Sequence, residues 1–219
     1  MGAKIIKIIE NLLIIVNYNL GNCGKMVIFA VTITLYDKKN TMHPLDKFLY
    51  CPACGSRRFV VNNVKSKHCE DCGFTYYANP SSATAAFIVR PDGCLLVARR
   101  AQEPAKGTLD LVGGFVDMDE DMEQGMLREI REETGLCLAT PQYLFTIPNL
   151  YEYSGMTIHT LDAFFLCQVE QDAEPHAADD AAELLWIPRE ELDPSQFGLW
   201  SIRQAVERFQ RDLLLKTVK

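Results

Sequence analysis

Residues 114–136 read GFVDMDEDMEQGMLREIREETGL. Asp121 can cap a helix, with Gln124 completing a capping box three residues on, and Gly135 can end that helix in the left-handed conformation. Met122, Met126 and Ile130 then form an apolar stripe. Glu129, Glu132 and Glu133 fall at i, i+3 and i+4, so a helix brings all three to one side. Like charges this close destabilise a helix and call for a compensating cation. Arg128, one turn before Glu132, can hold that carboxylate. Hard oxygen ligands suit Mg²⁺ or Mn²⁺, and a divalent cation on carboxylates is a device for attacking phosphate esters and anhydrides. Upstream, Gly113-Gly114 admits a close backbone approach to a metal or phosphate.

A lone acidic triplet of this kind is ordinarily a solvated helix face. Here more is specified: Gly114, five residues, Glu120, seven residues, Arg128-Glu129, Ile130, one residue, Glu132-Glu133, one residue, Gly135-Leu136. That pattern resembles the signature of the Nudix hydrolases, which cleave nucleoside diphosphates linked to another group. The resemblance covers about residues 81–190, and only the box is highly specific. It implies catalytic roles for Glu129, Glu132, Glu133, Arg128 and Glu120. It also implies Mg²⁺ or Mn²⁺ held by the three glutamates with the Gly113 carbonyl. The family often carries Gly-x-Trp-x-Leu-Pro-Gly-Gly before the box. Here Leu109 stands for the tryptophan and Val112 for the proline, which implies altered packing rather than lost chemistry. In the family a loop before the last strand often adds an acidic group. Asp180 and Glu183 are the candidates for that ligand or base, against a plain solvated loop.

Cys51-Pro-Ala-Cys54-Gly and Cys69-Glu-Asp-Cys72-Gly form two knuckles, fourteen residues apart. Four thiolates make a closed tetrahedral Zn²⁺ site, which is structural because no position is left for water. A module this small has too little core to fold without its metal. Redox chemistry is the alternative, but two pairs at this spacing favour zinc. His68 reads as a surface residue rather than a further ligand. Arg57, Arg58, Lys65 and Lys67, with Phe59 among them, could face nucleic acid; a solvated surface is the preferred reading.

A zinc ribbon joined to a Nudix domain is similar to the NADH pyrophosphatase family. That family carries Ser-Gln-Pro-Trp-Pro-Phe-Pro after the box. This chain instead has Thr146-Ile147-Pro148-Asn149-Leu150-Tyr151-Glu152-Tyr153. NADH is therefore one candidate beside ADP-ribose, a nucleotide sugar, a dinucleoside polyphosphate and a capped RNA end. Tyr151 and Tyr153 could stack on a base or serve as ordinary strand aromatics. Arg99 or Arg100 could contact phosphate or form a surface ion pair. The alternative function is a zinc-ribbon nucleic-acid-binding protein whose Nudix domain acts as a nucleotide sensor or RNA-cap hydrolase.

The chain has 219 residues, a formal charge of −7 and a sequence pI near 5.2. An acidic protein acting on phosphates needs its own cations, and general nucleic-acid affinity is not favoured. Eight cysteines without a disulfide framework point to a reducing cytoplasm. Cys94, Cys137 and Cys167 are expected to pack as small hydrophobes. Residues 1–41 differ in composition, with five lysines, two acids and no arginine. They read as an atypical extension, with Met42 a candidate true start. Their apolar run from Met26 to Tyr36 is too short for a bilayer, which needs about 20 residues, so no membrane partner is expected.

The remaining segments predict strands at 83–90 and 94–99 around a Pro91-Asp92-Gly93 turn, and further strands at 143–147, 157–169 and 184–187. A brief helix opens at Pro188, and a longer one spans 201–216 with Ile202, Val206, Phe209 and Leu213 on one face. The expected fold is α/β: a Nudix-type mixed sheet between helices (79–219), preceded by a small zinc ribbon (42–78). The partner is a small nucleotide substrate, and a homodimer is left open.

Overall fold

The computed structural model describes residues 13–15, 30–32, 43–177 and 181–216. Asp180 lies outside them. The chain forms two compact units, Met1–Met42 and His43–Lys219. In the first, β1 (Leu13–Ile15) pairs antiparallel with β2 (Ala30–Thr32), a short ladder the composition did not announce.

The second unit begins with a three-stranded antiparallel ribbon: β3 (Phe59–Asn63), β4 (Ser66–Cys69) and β5 (Thr75–Tyr77). Its small core is Cys51, Phe59 and Cys69 with Phe48 against them. The ribbon cations were expected to be a solvated surface, and Lys67 departs from that. Lys67 is buried and donates from Nζ to the Phe48 carbonyl at 2.9 Å. Arg58 is paired with Glu70 and Asp71.

The main sheet runs β11-β7-β6-β10-β9. Its strands are β6 (Ser81–Val89), β7 (Cys94–Arg100), β9 (Gln142–Tyr153), β10 (Met156–Gln168) and β11 (Ala181–Pro188), with the short β8 (Leu109–Asp110) beside β7. β6 and β10 are parallel and the other pairs antiparallel, so the sheet is mixed, as expected. Alternation along each strand feeds two cores. On β6, Ala85 and Phe87 face helix α2 (Trp200–Lys216), while Ala86 and Ile88 face helix α1 (Met122–Thr134). On β10, Phe164 serves the α2 side, and Ala163, Phe165 and Cys167 the α1 side. Phe87 and Phe209 stack at 4.1 Å between centroids. Ile202 and Val206 are buried with Phe209 on α2, and the Leu213 side chain lies outside the described residues.

Two departures from the expected fold have physical causes. β9 does not stop at Ile147 but continues through Pro148 to Tyr153. Proline is tolerated because β9 is the sheet edge, where the missing N–H breaks no ladder bond on its outer side. Ser154 and Gly155, both with positive φ, close the hairpin to β10. Cys137 is exposed rather than packed. It follows the Gly135 cap in a non-strand segment, and its neighbours Leu136 and Leu138 take the core positions on either side. Cys167, by contrast, is buried, which pushes its thiol pKa up to about 12. Among the described residues no helix is long and apolar enough to cross a membrane.

Candidate active site

Helix α1 positions the acidic residues. Asp121 caps it by accepting from the Gln124 N–H at 2.8 Å, while Gln124 Oε1 accepts from the Asp121 N–H at 2.9 Å. Gly135 ends it at φ 72°. Met126 and Ile130 are fully buried against Val112, Ala86 and Phe165, which turns the opposite side of the helix outward.

Arg128 organises that side. Its Nε donates to Glu120 Oε1 at 2.7 Å, and Nη2 donates to Glu120 Oε2 at 3.0 Å and to the Phe115 carbonyl at 2.9 Å. Its Nη1 donates to Glu129 and Glu132, each at 2.9 Å. These five bonds use the full donor capacity of a guanidinium. Arg128 is thus a clamp on three carboxylates and the preceding loop, not a spare cation for substrate. The clamp raises the arginine's pKa, its hydrogen bond with Glu120 contributing most, and holds the Glu120 carboxyl below its ordinary range. Burial acts oppositely on Glu129 and raises its pKa against the pull of Arg128.

The glycine pair earns its place by close approach, though not in the way expected. A Cβ on Gly113, whose φ is +153°, would overlap the Thr84 carbonyl and come within 2.7 Å of the Ala85 Cα. A Cβ on Gly114 would lie 2.5 Å from Glu129 Oε1. Glycine is thus required by β6 on one side and by the Glu129 carboxylate on the other. The Val112 and Gly114 carbonyls accept from the Ala86 and Thr84 N–H groups, leaving the Gly113 carbonyl outside that ladder. The Gly113 N–H donates to Glu133 Oε2 at 3.3 Å. Leu109 and Val112 are both buried in the core, which agrees with a change of packing at those positions.

These groups line a cavity of about 400 Å³. Glu129, Glu133, Arg128, Gly113 and Gly114 form one side. The three expected carboxylates do not share it equally. Successive helical residues rotate by about 100°, so Glu132 and Glu133 diverge to either side of Glu129. Glu132 is half exposed and lies outside the lining. Of the arginine candidates, Arg100 lines the cavity and Arg99 does not. Arg99 Nε instead donates to Glu183 at 3.0 Å across β7 and β11, so two candidate residues pair with each other. Tyr151 and Tyr153 line the cavity and stack loosely at 6.5 Å, with Phe115 edge-on to Tyr151 at 5.9 Å.

Sequence reasoning missed a second group of lining residues. Asp110 and Asp162 are each buried to 7% exposure, with Asn149, Thr160 and Ser201 beside Asp162. Arg100 Nη1 donates to Asp110 Oδ2. Thr160 and Ser201 each donate to Asp162 at 2.6 Å, and Asn149 donates to it at 3.1 Å. Acidic residues inside otherwise apolar strands, Asp110 among Leu109, Leu111 and Val112 and Asp162 before Ala163-Phe164-Phe165, were the available signal.

In the ribbon the two knuckles repeat one geometry. Cys51 and Cys69 donate their N–H groups to the Ser56 and Phe74 carbonyls, each at 2.8 Å. Their own carbonyls accept from Gly55 and Gly73, at 2.8 and 2.9 Å, and both glycines have positive φ. The four sulfurs lie within 4.8 Å of one another, the one group of metal-ligand side chains this close among the described residues. Cys51 and Cys72 are 3.7 Å apart at sulfur, Cys54 and Cys69 3.6 Å. His68 stays outside the cluster and bonds Thr75 Oγ1 at 2.9 Å.

A sequence profile of the NUDIX domain matches residues 79–209, more than half of the chain. The NAD-capped RNA hydrolase NudC of Stutzerimonas stutzeri strain A1501 is 32% identical over 95 residues, 43% of this chain. The chain spans only 34% of that protein's length. Among solved structures, a MutT NUDIX hydrolase from Burkholderia pseudomallei matches with a TM-score of 0.51 at 28% identity, covering 59% of this chain and 97% of that one. A NUDIX hydrolase from Nitrosomonas europaea matches with a TM-score of 0.57 at 18% identity, covering 74% and 90% respectively, and bears on the fold alone.

Proposed function

The chain belongs to the NUDIX family, and from that premise we propose that it hydrolyses the pyrophosphate linkage of a nucleoside diphosphate derivative such as NADH or ADP-ribose. The observation that carries this reading is the pair Glu129 and Glu133 on a cavity wall beside Gly113-Gly114, with Glu129 and Glu132 tied together by Arg128. The donor set is hard oxygen throughout, which fits Mg²⁺ or Mn²⁺ held by Glu129, Glu132, Glu133 and the Gly113 carbonyl. Such a cation, when bound, lowers the pKa of a water and neutralises phosphate charge. Arg128 and Glu120 keep the carboxylates at their positions. Glu129, a carboxylate on the cavity wall, is placed to accept a proton from the attacking water. Tyr151, Tyr153 and Phe115 offer faces for a base or ring at the cavity.

At the ribbon, a tetrahedral Zn²⁺ with Zn–S bonds of about 2.3 Å places sulfurs about 3.8 Å apart. The spacings of 3.6 and 3.7 Å suit that ion, and its role there is structural. Unbridged Cys94, Cys137 and Cys167, outside the ribbon, fit a reducing cytoplasm.

A capped RNA end is a second reading, favoured by the activity in the name of the Stutzerimonas relative. A pure nucleotide sensor is disfavoured, because binding alone has no need of all three carboxylates. The test is a substrate panel with Mg²⁺ or Mn²⁺, comprising NADH, ADP-ribose, a dinucleoside polyphosphate and an NAD-capped oligonucleotide, with products identified by mass spectrometry. Cleavage between the two phosphorus atoms of any of them supports the reading. No turnover of any, with either metal, refutes it.

A further inference from the structure

Strands β9 and β10 reach beyond the sheet that carries them. The pairing of β10 with β6 begins at Thr160 and Ser81, whereas β10 pairs with β9 from Met156 and Tyr153 onward. Residues 150–159 therefore form a two-stranded arm with no third strand beside it in the described sheet. None of them is buried, and Thr160 is the first residue of β10 that is. A two-stranded hairpin is marginal in water, and segments with few buried contacts open most readily. Yet this arm carries Tyr151 and Tyr153, both of which line the cavity. An aromatic face on a loose strand binds weakly, because the strand must be ordered when the ligand arrives.

The tip of the arm is held from outside the sheet. Lys47 Nζ donates to the Gly155 carbonyl, across 108 positions of chain. Ser154 and Gly155 are the turn residues, outside the ladder, so strand pairing does not compete for that carbonyl. A bond from an ammonium is stronger than one between neutral groups. The lysine stands on a firm base. Leu45, two residues before it, is 3% exposed. Phe48, the next residue, packs on the ribbon core, stacks on Tyr76 at 6.1 Å and accepts from Lys67 Nζ at its carbonyl. His43 Nε2 donates to the Asn63 carbonyl of β3 at 2.8 Å. A segment fixed to the ribbon at several points thus presents one ammonium to the tip, while midway along the arm Phe115 meets Tyr151 edge-on. We propose that Lys47 is a positioning residue: it pins the arm to the ribbon and so holds Tyr151 and Tyr153 at the cavity. The use of those tyrosines rests on the hydrolase reading. Neither Lys47 nor any other residue of 43–78 lines the cavity, so the pin acts on substrate affinity and not on the chemical step.

Hydrogen exchange read by mass spectrometry, on the full chain without substrate, tests the pin directly. Lys47→Met keeps the stem and removes the donor, and Lys65→Met removes the same charge from an exposed ribbon lysine that does not touch the arm. Lys47→Met should speed exchange across 150–159 by ~2- to 10-fold, the net worth of one hydrogen bond, and leave 163–168 unchanged. In Mg²⁺ it should raise KM by a similar ~2- to 10-fold for the best-used member of the substrate panel, with kcat unchanged, because binding must then order the arm. In a background of Tyr151→Ala with Tyr153→Ala, Lys47→Met should add no further rise in KM. Lys47→Arg, which restores a donor, should recover both readouts, and Lys65→Met should move neither. Unchanged exchange in 150–159, or an equal change in Lys65→Met, overturns the pin. Faster exchange with KM unchanged, a fall in kcat alone, or a KM rise that persists without the tyrosines overturns the positioning role. If wild type turns over no substrate the hydrolase reading fails, and the exchange comparison alone decides the pin.

Discussion

Arg128 and Gly114 carry the strongest consequences at the scale of single residues. Lysine at 128 would offer one ammonium where a planar fork now serves Glu120, Glu129, Glu132 and the Phe115 carbonyl. Arg128→Lys should lower stability by roughly 1–3 kcal/mol, read by urea denaturation, because part of the network loses its donors. An unchanged midpoint would show the clamp to be ornamental. Gly114→Ala should depress metal-dependent turnover more than stability, since its Cβ displaces the Glu129 carboxylate rather than backbone. The two shifted glutamates respond to pH with opposite signs. Glu120, held low by Arg128, contributes stability above its ordinary pKa of 4.5 that is lost as pH falls through the lower folded value. The variant Glu120→Gln should therefore lose less stability than wild type on acidification from pH 7, and an equal or greater loss would contradict the assignment. Glu129 is raised by burial, so cation binding there should release protons under mildly acidic conditions, where part of that carboxyl is protonated. Proton release would appear as a binding heat that depends on buffer ionisation enthalpy.

At the scale of elements, local chemistry was legible and long-range pairing was not. Helix α1 announced itself through Asp121, Gln124 and Gly135, and the structure contains both halves of the capping box and the left-handed cap. Asp121→Ala should cost about 1 kcal/mol of stability in thermal or urea melts; no change would mean that tertiary packing alone holds the helix start. The paired cysteines were equally local, and their spacing brought four sulfurs together. The parallel pairing of β6 with β10 joins residues nearly eighty positions apart, and no local pattern encodes it. For the same reason the Asp162 group was invisible: Asn149, Thr160 and Ser201 come from three elements and meet only after folding. Strand β9 was read too short because Pro148 ordinarily ends a strand, and nothing local reveals that this strand lies at an edge. Arg99 and Glu183 were credible as separate site residues until the pairing of β7 and β11 set them opposite each other.

For the whole molecule, stability and chemistry reside in different parts of residues 43–219. The ribbon has a core of a few side chains and, on the structural-zinc reading proposed above, would depend on a metal at its four cysteines, whereas the sheet between α1 and α2 has two cores of its own. Cys69→Ser should lose one metal ion per chain by elemental analysis and loosen the ribbon, with the sheet retaining its melting transition. A single transition lost in full would show that the two parts fold as one. The central claim is that the glutamates beside Gly113-Gly114 hydrolyse a pyrophosphate linkage with a divalent cation. Its most direct test is ADP-ribose turnover with Mg²⁺ in wild type and in Glu133→Gln, with AMP and ribose 5-phosphate quantified. The expected result is equal amounts of the two products from wild type, and a rate at least ~10²-fold lower in a variant that melts like wild type. Wild-type turnover by Glu133→Gln, or turnover that persists after every divalent cation is chelated, would contradict the account.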